Sequence, residues 1–434
     1  MSLTQRVTAL LCVWLLYAAA GAQPADTSSP SLDQVYRLAE ERSPALQAAQ
    51  ARAQAARGAL LQAGMSPNPS LGIQGSHDLS VVSDIGLYYS QPIELGGKRQ
   101  ARIHLAEAQL ALAELGLIDQ QNRLRRDVHQ ALADLALAQG LASLQDELLQ
   151  VAQMQLDATR KRLQAGDVAE VDLLELEAEV ARRKALHSQA LGRERAAWRS
   201  LEVWVGPDQA PFPAELGPAP ELSQLSLEAL QARARAERPD RLQALARTRV
   251  QEMQIGLEEA RASGDLNLKV GVGHERLYIP SSSFQPSIVS LDDSGVAANV
   301  QLEIPLTIFD TNEGNIEQAR ALAEAARLDE AALLQTIDRD VARAWDTLLA
   351  ADEAARELRQ TGLERAREFL RIVQQAYELG MRTQFEVIAA REAYQRMAEQ
   401  VLQADYAARA AQIELETAVG GPLSGTPPTQ QEAP

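Results

Sequence analysis

The sequence predicts a mixed, mainly helical chain: long antiparallel helical hairpins plus four membrane-length strands that contribute to a twelve-stranded β-barrel shared in a trimer. Three observations carry this prediction. Each half holds more than 110 consecutive residues without proline, from Pro92 to Pro207 and from Pro305 to Pro422, and proline is the main helix breaker. The halves repeat one another at an offset of 214 residues. Ahead of each proline-free run, apolar and polar residues alternate, the period of a strand with one apolar and one polar face.

Taken in order, residues 1–22 read as a secretory signal peptide. Arg6 precedes an apolar stretch from Val7 to Ala20, and Ala20-Gly21-Ala22 is a small-x-small cleavage pattern. The single cysteine, Cys12, lies within that stretch behind Leu11, a poor context for lipidation. The mature chain therefore holds no disulfide, thiolate nucleophile or Cys-ligated metal. Its net charge of −17 becomes −18 when Arg6 is removed with the signal, which argues against a nucleic-acid partner. Aromatic residues make up only 4%, a composition that favours long helices over a compact enzyme core. After Ala22 no stretch approaches the roughly 18 apolar residues of a membrane helix, so an exported chain ends up soluble or in a β-barrel.

The first repeat is expected over residues 31–206. A helix from Ser31 to Gly64 opens it, strands follow at about 70–79 and 84–93, with Ile85, Leu87 and Tyr89 on one face, and a helix then runs from about Gly97 to Leu163, ~100 Å at 1.5 Å per residue. The tip is Gly166-Asp167-Val168, and a second helix resumes near Ala169. After a linker at 207–225, the second repeat, 226–421, follows the same plan: a helix from Ser226 to Ser263, strands at about 264–279 and 296–308, and a hairpin with its tip at Gly380-Met381-Arg382. Leu149, Ala152, Leu156 and Leu163 recur at coiled-coil spacing, as do Leu363, Ala366, Leu370, Val373 and Tyr377, and the two series coincide at the 214 offset. Residues 422–434, rich in Pro, Thr and Gln, are expected to be a disordered tail.

Four strands cannot close a barrel, and open edges in lipid leave backbone groups unpaired at several kcal/mol each. Two copies would give about eight strands and an interior filled by side chains, whereas three give about twelve and leave a bore. A homotrimer in outer-membrane lipid is the expectation.

At this point the layout resembles the TolC-like family of outer-membrane efflux proteins, over roughly Ser31 to Gly421. Within it, the chain is most similar to the outer-membrane components of cobalt-zinc-cadmium-type cation exporters. The residues that carry the resemblance are Gln91-Pro92-Ile93-Glu94-Leu95-Gly96-Gly97-Lys98-Arg99 at the start of the first long helix and Ile304-Pro305-Leu306-Thr307-Ile308-Phe309-Asp310-Thr311-Asn312-Glu313-Gly314-Asn315-Ile316 at the second. The resemblance implies a trimer with a shared barrel, continued through the periplasm by a helical tunnel that the hairpin tips close. It implies a passive exit duct without a cofactor, served by a periplasmic adaptor and an inner-membrane transporter of the proton-driven RND type, with divalent metal cations as cargo. It also implies a gate: Tyr377 and Arg382 of the second hairpin bonded to Asp172 of the first, with Glu386 in an acidic ring, while the second ring position of the family falls on Ala389.

Beside that reading stand plainer ones. Tyr377 lies on the heptad seam, Asp172 and Glu386 fit solvated helix charges, and Arg382 fits a helix-end charge. The tips Gly166, Asp167, Val168, Gly380, Met381 and Arg382 are candidates for adaptor docking. His77, His104, His129, His187 and His274 show no metal-ligand spacing, although His77 and His274 fall in corresponding strands. No Gly-x-Ser-x-Gly or phosphate-cradling loop is present, so no enzyme is expected. Two alternatives remain at this level: a duct for drugs or a secreted polypeptide, and a periplasmic adaptor or scaffolding protein.

Overall fold

The computed structural model describes residues 32–77, 82–166, 168–207, 209, 211–214, 222, 225–279 and 291–423. The signal peptide, much of the 207–225 linker, Asp167 and the tail beyond Leu423 lie outside the described residues. In chain order the elements are α1 (Leu32–Arg42), α2 (Pro44–Ala63), β1 (Ser70–His77), β2 (Val82–Ile93), α3 (Lys98–Ala165), α4 (Glu170–Val205), α5 (Leu227–Glu237), α6 (Pro239–Arg261), β3 (Leu266–Ile279), β4 (Leu291–Glu303), α7 (Glu313–Glu357), a π-turn (Leu358–Gly362), α8 (Leu363–Glu378) and α9 (Gln384–Val419). They form two compact units. One gathers described residues of 32–42, 127–219 and 354–410, the other those of 43–126, 220–353 and 411–423. Each unit draws on both repeats, with boundaries inside α3, α7 and α9.

Each expected opening helix is in fact two. Pro44 and Pro239 occupy the first helical turn of α2 and α6, and the residues before them, Ser43 and Arg238, are extended at ψ 109° and 123°. The proline ring disfavours helical geometry at the preceding residue, and Ser43 then uses its hydroxyl to cap α2, accepting the Leu46 N–H at 3.3 Å.

In the first unit, Leu149, Ala152 and Leu156 of α3 pack on Leu176 and Val180 of α4, while Leu370, Val373 and Tyr377 of α8 pack on Val387 and Ala390 of α9. In the second unit, Ile337, Val341, Ala344 and Leu348 of α7 meet Ala411, Leu415 and Ala418 of α9 and Leu230 and Ala234 of α5. The spacing of three and four residues puts each series on one helix face. The second long helix differs from the uninterrupted α3 in one respect. Pro92 and Pro305 are 213 residues apart and the tip glycines 214, so the second repeat carries one additional residue. The π-turn at Leu358–Gly362 absorbs it without ending the helix. Gly362 allows the close approach there, since a Cβ would meet the Met397 sulfur at 2.8 Å.

The strands form one antiparallel sheet in the order β1-β2-β3-β4. Register places Leu71, Tyr89, Val270 and Val300 in one row, Ile73, Leu87, Val272 and Ala298 in the next, and Ile85, His274 and Val296 in a third. By alternation these rows share a face, and its large apolar side chains are exposed. The opposite face carries Ser70, Ser90, Lys269 and Gln301, then Tyr88 and Asn299 between glycines. Tyr88 lies over Gly72, where a Cβ would sit 2.4 Å from the ring, and the Lys269 ammonium stands 3.9 Å from the ring centroid. An exposed apolar face backed by a polar one is the pattern of a strand between lipid and water. The last strand begins earlier than expected, at Leu291, and stops at Glu303, because Pro305 has no N–H to offer a ladder. β2 lies between the strands that carry His77 and His274, so those two strands are not hydrogen-bonded to each other.

The Glu94–Arg99 motif forms the joint between sheet and helix. Arg102 grips the Glu94 carboxylate with both terminal nitrogens and donates to the Met65 carbonyl at 3.2 Å. The Asp265 carboxylate takes Lys98 Nζ at 2.7 Å and the Leu95 N–H at 3.3 Å. Gly96 and Gly97 provide positive φ for the turn between them.

Candidate functional site at the hairpin tips

Both tips are shaped by helix-end chemistry. At the first, α3 ends at Ala165 and Gly166 turns left-handed at φ 82°. Ala169 precedes α4, and the Asp172 carboxylate accepts the Ala169 N–H at 3.3 Å. At the second, the Gly380 N–H donates to the Tyr377 carbonyl and the Met381 N–H to the Ala376 carbonyl, each at 2.9 Å, with Gly380 at φ 73°. This paired closure satisfies carbonyls that a helix end leaves open. Thr383 then caps α9: the Glu386 carboxylate accepts the Thr383 N–H at 2.8 Å while the Glu386 N–H donates to the Thr383 hydroxyl at 3.4 Å.

The residues expected at the gate all lie at the tips, and their partners within the single chain are as follows. Tyr377 packs on the apolar seam and its hydroxyl accepts a bond from Arg162 Nη1 of α3 at 3.0 Å. Arg382, in the turn that precedes α9, pairs with Glu386 of α9 at 2.5 Å. Asp172 and Glu386 occupy equivalent positions in the two repeats, and within the chain both serve as caps. The Thr383 N–H bond, followed by the Arg382 bond, holds the Glu386 carboxyl below its ordinary value. The Thr-x-x-Glu pattern was readable as a capping box and signals this role; Arg162 lies 215 residues from Tyr377 and no local pattern points to it. Around the tips Val171, Leu174, Leu379, Met381 and Phe385 are large, apolar and exposed.

Further along α4 and α9, a polar network ties the hairpins together. The Arg183 side chain, 1% exposed, bonds Glu179 at 2.6 Å and Gln395 of α9. Arg182 reaches both Glu179 at 2.8 Å and Glu392 of α9 at 2.7 Å. Glu399 accepts from Gln395 at 2.7 Å and from Gln145 of α3 at 2.8 Å, and Arg391 bonds Gln155 of α3. Burial pushes the Glu179 carboxyl up, but the bonds from Arg182 and Arg183 outweigh it and hold the group below its ordinary value. Arg391 moves the other way, pulled down by burial and by the neighbouring Arg183 charge. Among the described residues, no group of three or more His, Cys, Asp or Glu side chains is placed to hold a metal ion, and no helix is long and apolar enough to cross a membrane.

The outer membrane efflux protein family matches residues 35–206 and 230–421. The chain belongs to that family. Among curated relatives, the cobalt-zinc-cadmium resistance protein CzcC of Cupriavidus metallidurans is 27% identical over 378 residues, 85% of this chain and 84% of its own length. The nickel and cobalt resistance protein CnrC of the same organism is 29% identical over 340 residues, 76% of each chain. The outer membrane protein VceC of Vibrio cholerae superposes with a TM-score of 0.68 at 20% identity, covering 91% of this chain and 97% of its own. Family and fold are those of outer membrane efflux channels, which extend from the outer membrane into the periplasm.

Proposed function

We propose that this efflux protein is the exit duct of a tripartite pump that expels divalent heavy-metal cations. The observation that carries the duct is the two-faced sheet, apolar on one side, polar on the other and open at both edges, in a chain whose helices are built as hairpins. Three copies close the sheet into a twelve-stranded barrel around an aqueous bore. The two relatives, a cobalt-zinc-cadmium resistance protein and a nickel and cobalt resistance protein, support the cargo. The duct performs no chemistry and holds no cofactor; an inner-membrane RND transporter supplies the energy. A periplasmic adaptor docks on the exposed apolar residues around the tips, and Tyr377, Arg382, Asp172 and Glu386 hold the tips in their resting arrangement.

The test is growth of a strain lacking the protein on zinc, cobalt, cadmium, nickel and copper salts beside dyes, detergents and antibiotics. Metal sensitivity alone, restored by the intact gene, is the expected outcome. Drug sensitivity alone would overturn the cargo and keep the duct.

A further inference from the structure

The segment that follows β4 carries an apolar run that no described residue covers. Ile304, Leu306, Ile308 and Phe309 are all exposed, Phe309 completely at 100%. The Ile308 N–H donates to the Leu306 carbonyl at 2.9 Å, a tight turn just before Phe309. Asn312, at positive φ, fixes the far side of the loop by donating to the Glu258 carbonyl at 2.8 Å. A fully exposed phenylalanine on a loop anchored at both ends is a poor solution for a lone chain.

The matching surface lies across the sheet. β1 and β4 are its two edges, and an edge that faces lipid must find a partner. β4 runs towards the helix-bearing end and stops there at Glu303, while β1 starts from that same end at Ser70, after α2. At the foot of β1, Leu61 and Met65 are 69% and 56% exposed. The segment is held in place by Arg102, which donates to the Met65 carbonyl, and by Arg99, which donates to Ser66 at 3.3 Å. The two apolar patches therefore sit at one level and on opposite edges. When β4 of one copy pairs antiparallel with β1 of the next, the arrangement is head-to-tail and brings the patches together at every junction.

We propose that Phe309 is the anchor between copies of this chain, seated against Leu61 and Met65 of the next copy beneath the β4–β1 pairing. The inference rests on the trimeric duct and goes further by naming the contact that fixes its closure. Each junction gains one buried aromatic, the residue class that dominates interface energetics, and the contact lies where barrel strands give way to helices.

The test uses the full chain, purified from membranes in detergent, with the photoreactive p-benzoylphenylalanine in place of Phe309. Irradiation is expected to give covalent dimers and trimers whose linked peptides map to the segment Leu61–Met65. Trimers by light scattering without those cross-links, or with links mapping elsewhere, overturn the anchor and leave the duct standing. Monomers under all conditions overturn both. A second pair of variants reads the same contact: Phe309→Asp is expected to lower the temperature at which trimers dissociate, and Phe309→Leu to keep most of it. Equal dissociation temperatures for the aspartate variant and the unmodified protein would also overturn the proposal.

Discussion

Glu179 is the residue whose loss should be felt furthest from its own position. Its carboxylate holds Arg183, whose side chain is 1% exposed and whose other bond goes to the neutral amide of Gln395. In Glu179→Gln, a guanidinium stays buried with amide oxygens alone. Removing one partner of a buried pair costs about 3–5 kcal/mol, and at about 1.4 kcal/mol per tenfold this is a roughly 100- to 4,000-fold change in local opening. Arg183→Met removes the buried charge itself, and Glu179 keeps Arg182 at 2.8 Å, so its cost is smaller, about 1–3 kcal/mol for the bond lost by Gln395. In the double variant neither charge is stranded, and stability should return to within about 1 kcal/mol of that of Arg183→Met. Native-state hydrogen exchange of α4 and α9 amides in the assembled protein reads these openings segment by segment. If the double variant exchanges as fast as Glu179→Gln alone, the buried guanidinium is not the source of the cost and the reasoning fails.

Four further outcomes follow from the tips and turns. Thr383→Ala removes the α9 cap and should cost about 1 kcal/mol, seen as faster exchange confined to the first turn of α9. The Glu386 carboxyl, lowered in the folded chain from its ordinary value of 4.5, contributes stability above that value and loses it as pH falls through the lower folded one; a carboxyl-carbon NMR titration at or above 4.5 would contradict the cap geometry. Gly420 sits at φ 95° with its missing Cβ only 2.8 Å from the Arg238 backbone, whereas Gly97, at φ 75°, faces open space. Alanine at Gly97 should therefore cost only the left-handed penalty of about 1–2 kcal/mol, and alanine at Gly420 distinctly more, measured as thermal inactivation of the two variants side by side. Replacing Tyr377 and Arg382 together with Ala should raise single-channel conductance in a planar bilayer, and unchanged conductance would remove them from the gate.

The long-range plan was legible because it rests on periodicity. The heptad residues Leu149, Ala152 and Leu156 are buried where the spacing put them, and the alternation through Val270 and Val272 places both on the exposed apolar face. Local breaks were harder to read. The helix pause at Ser43 and Arg238 follows from proline acting on the residue before it, a signal present in the sequence but weaker than the apolar pattern running through it. The π-turn at Leu358–Gly362 has no residue signature; only the one-residue mismatch between proline and glycine offsets betrays it. At the tips, residue positions were readable and partners were not. Tyr377 meets Arg162, and Arg183 meets Gln395, through tertiary packing that no spacing along one helix encodes.

The glycines that end the two repeats carry a wider consequence. Gly206 closes on Arg42 at the α1–α2 joint, and Gly420 closes on Arg238 at the α5–α6 joint, so each repeat returns to its own beginning. Each also brings one strand pair, and the β2–β3 pairing between repeats has the same antiparallel sense as the β4–β1 pairing proposed between copies. In the trimer proposed above, a gene of half the length would encode each of these joints, and six such products would build the same wall. Fusing two of them into one polypeptide halves the number of parts that must find each other in the membrane. It also frees alternate positions to diverge, as Ala169 and Thr383 already have, so that one mutation alters every second hairpin of the duct and leaves the others untouched.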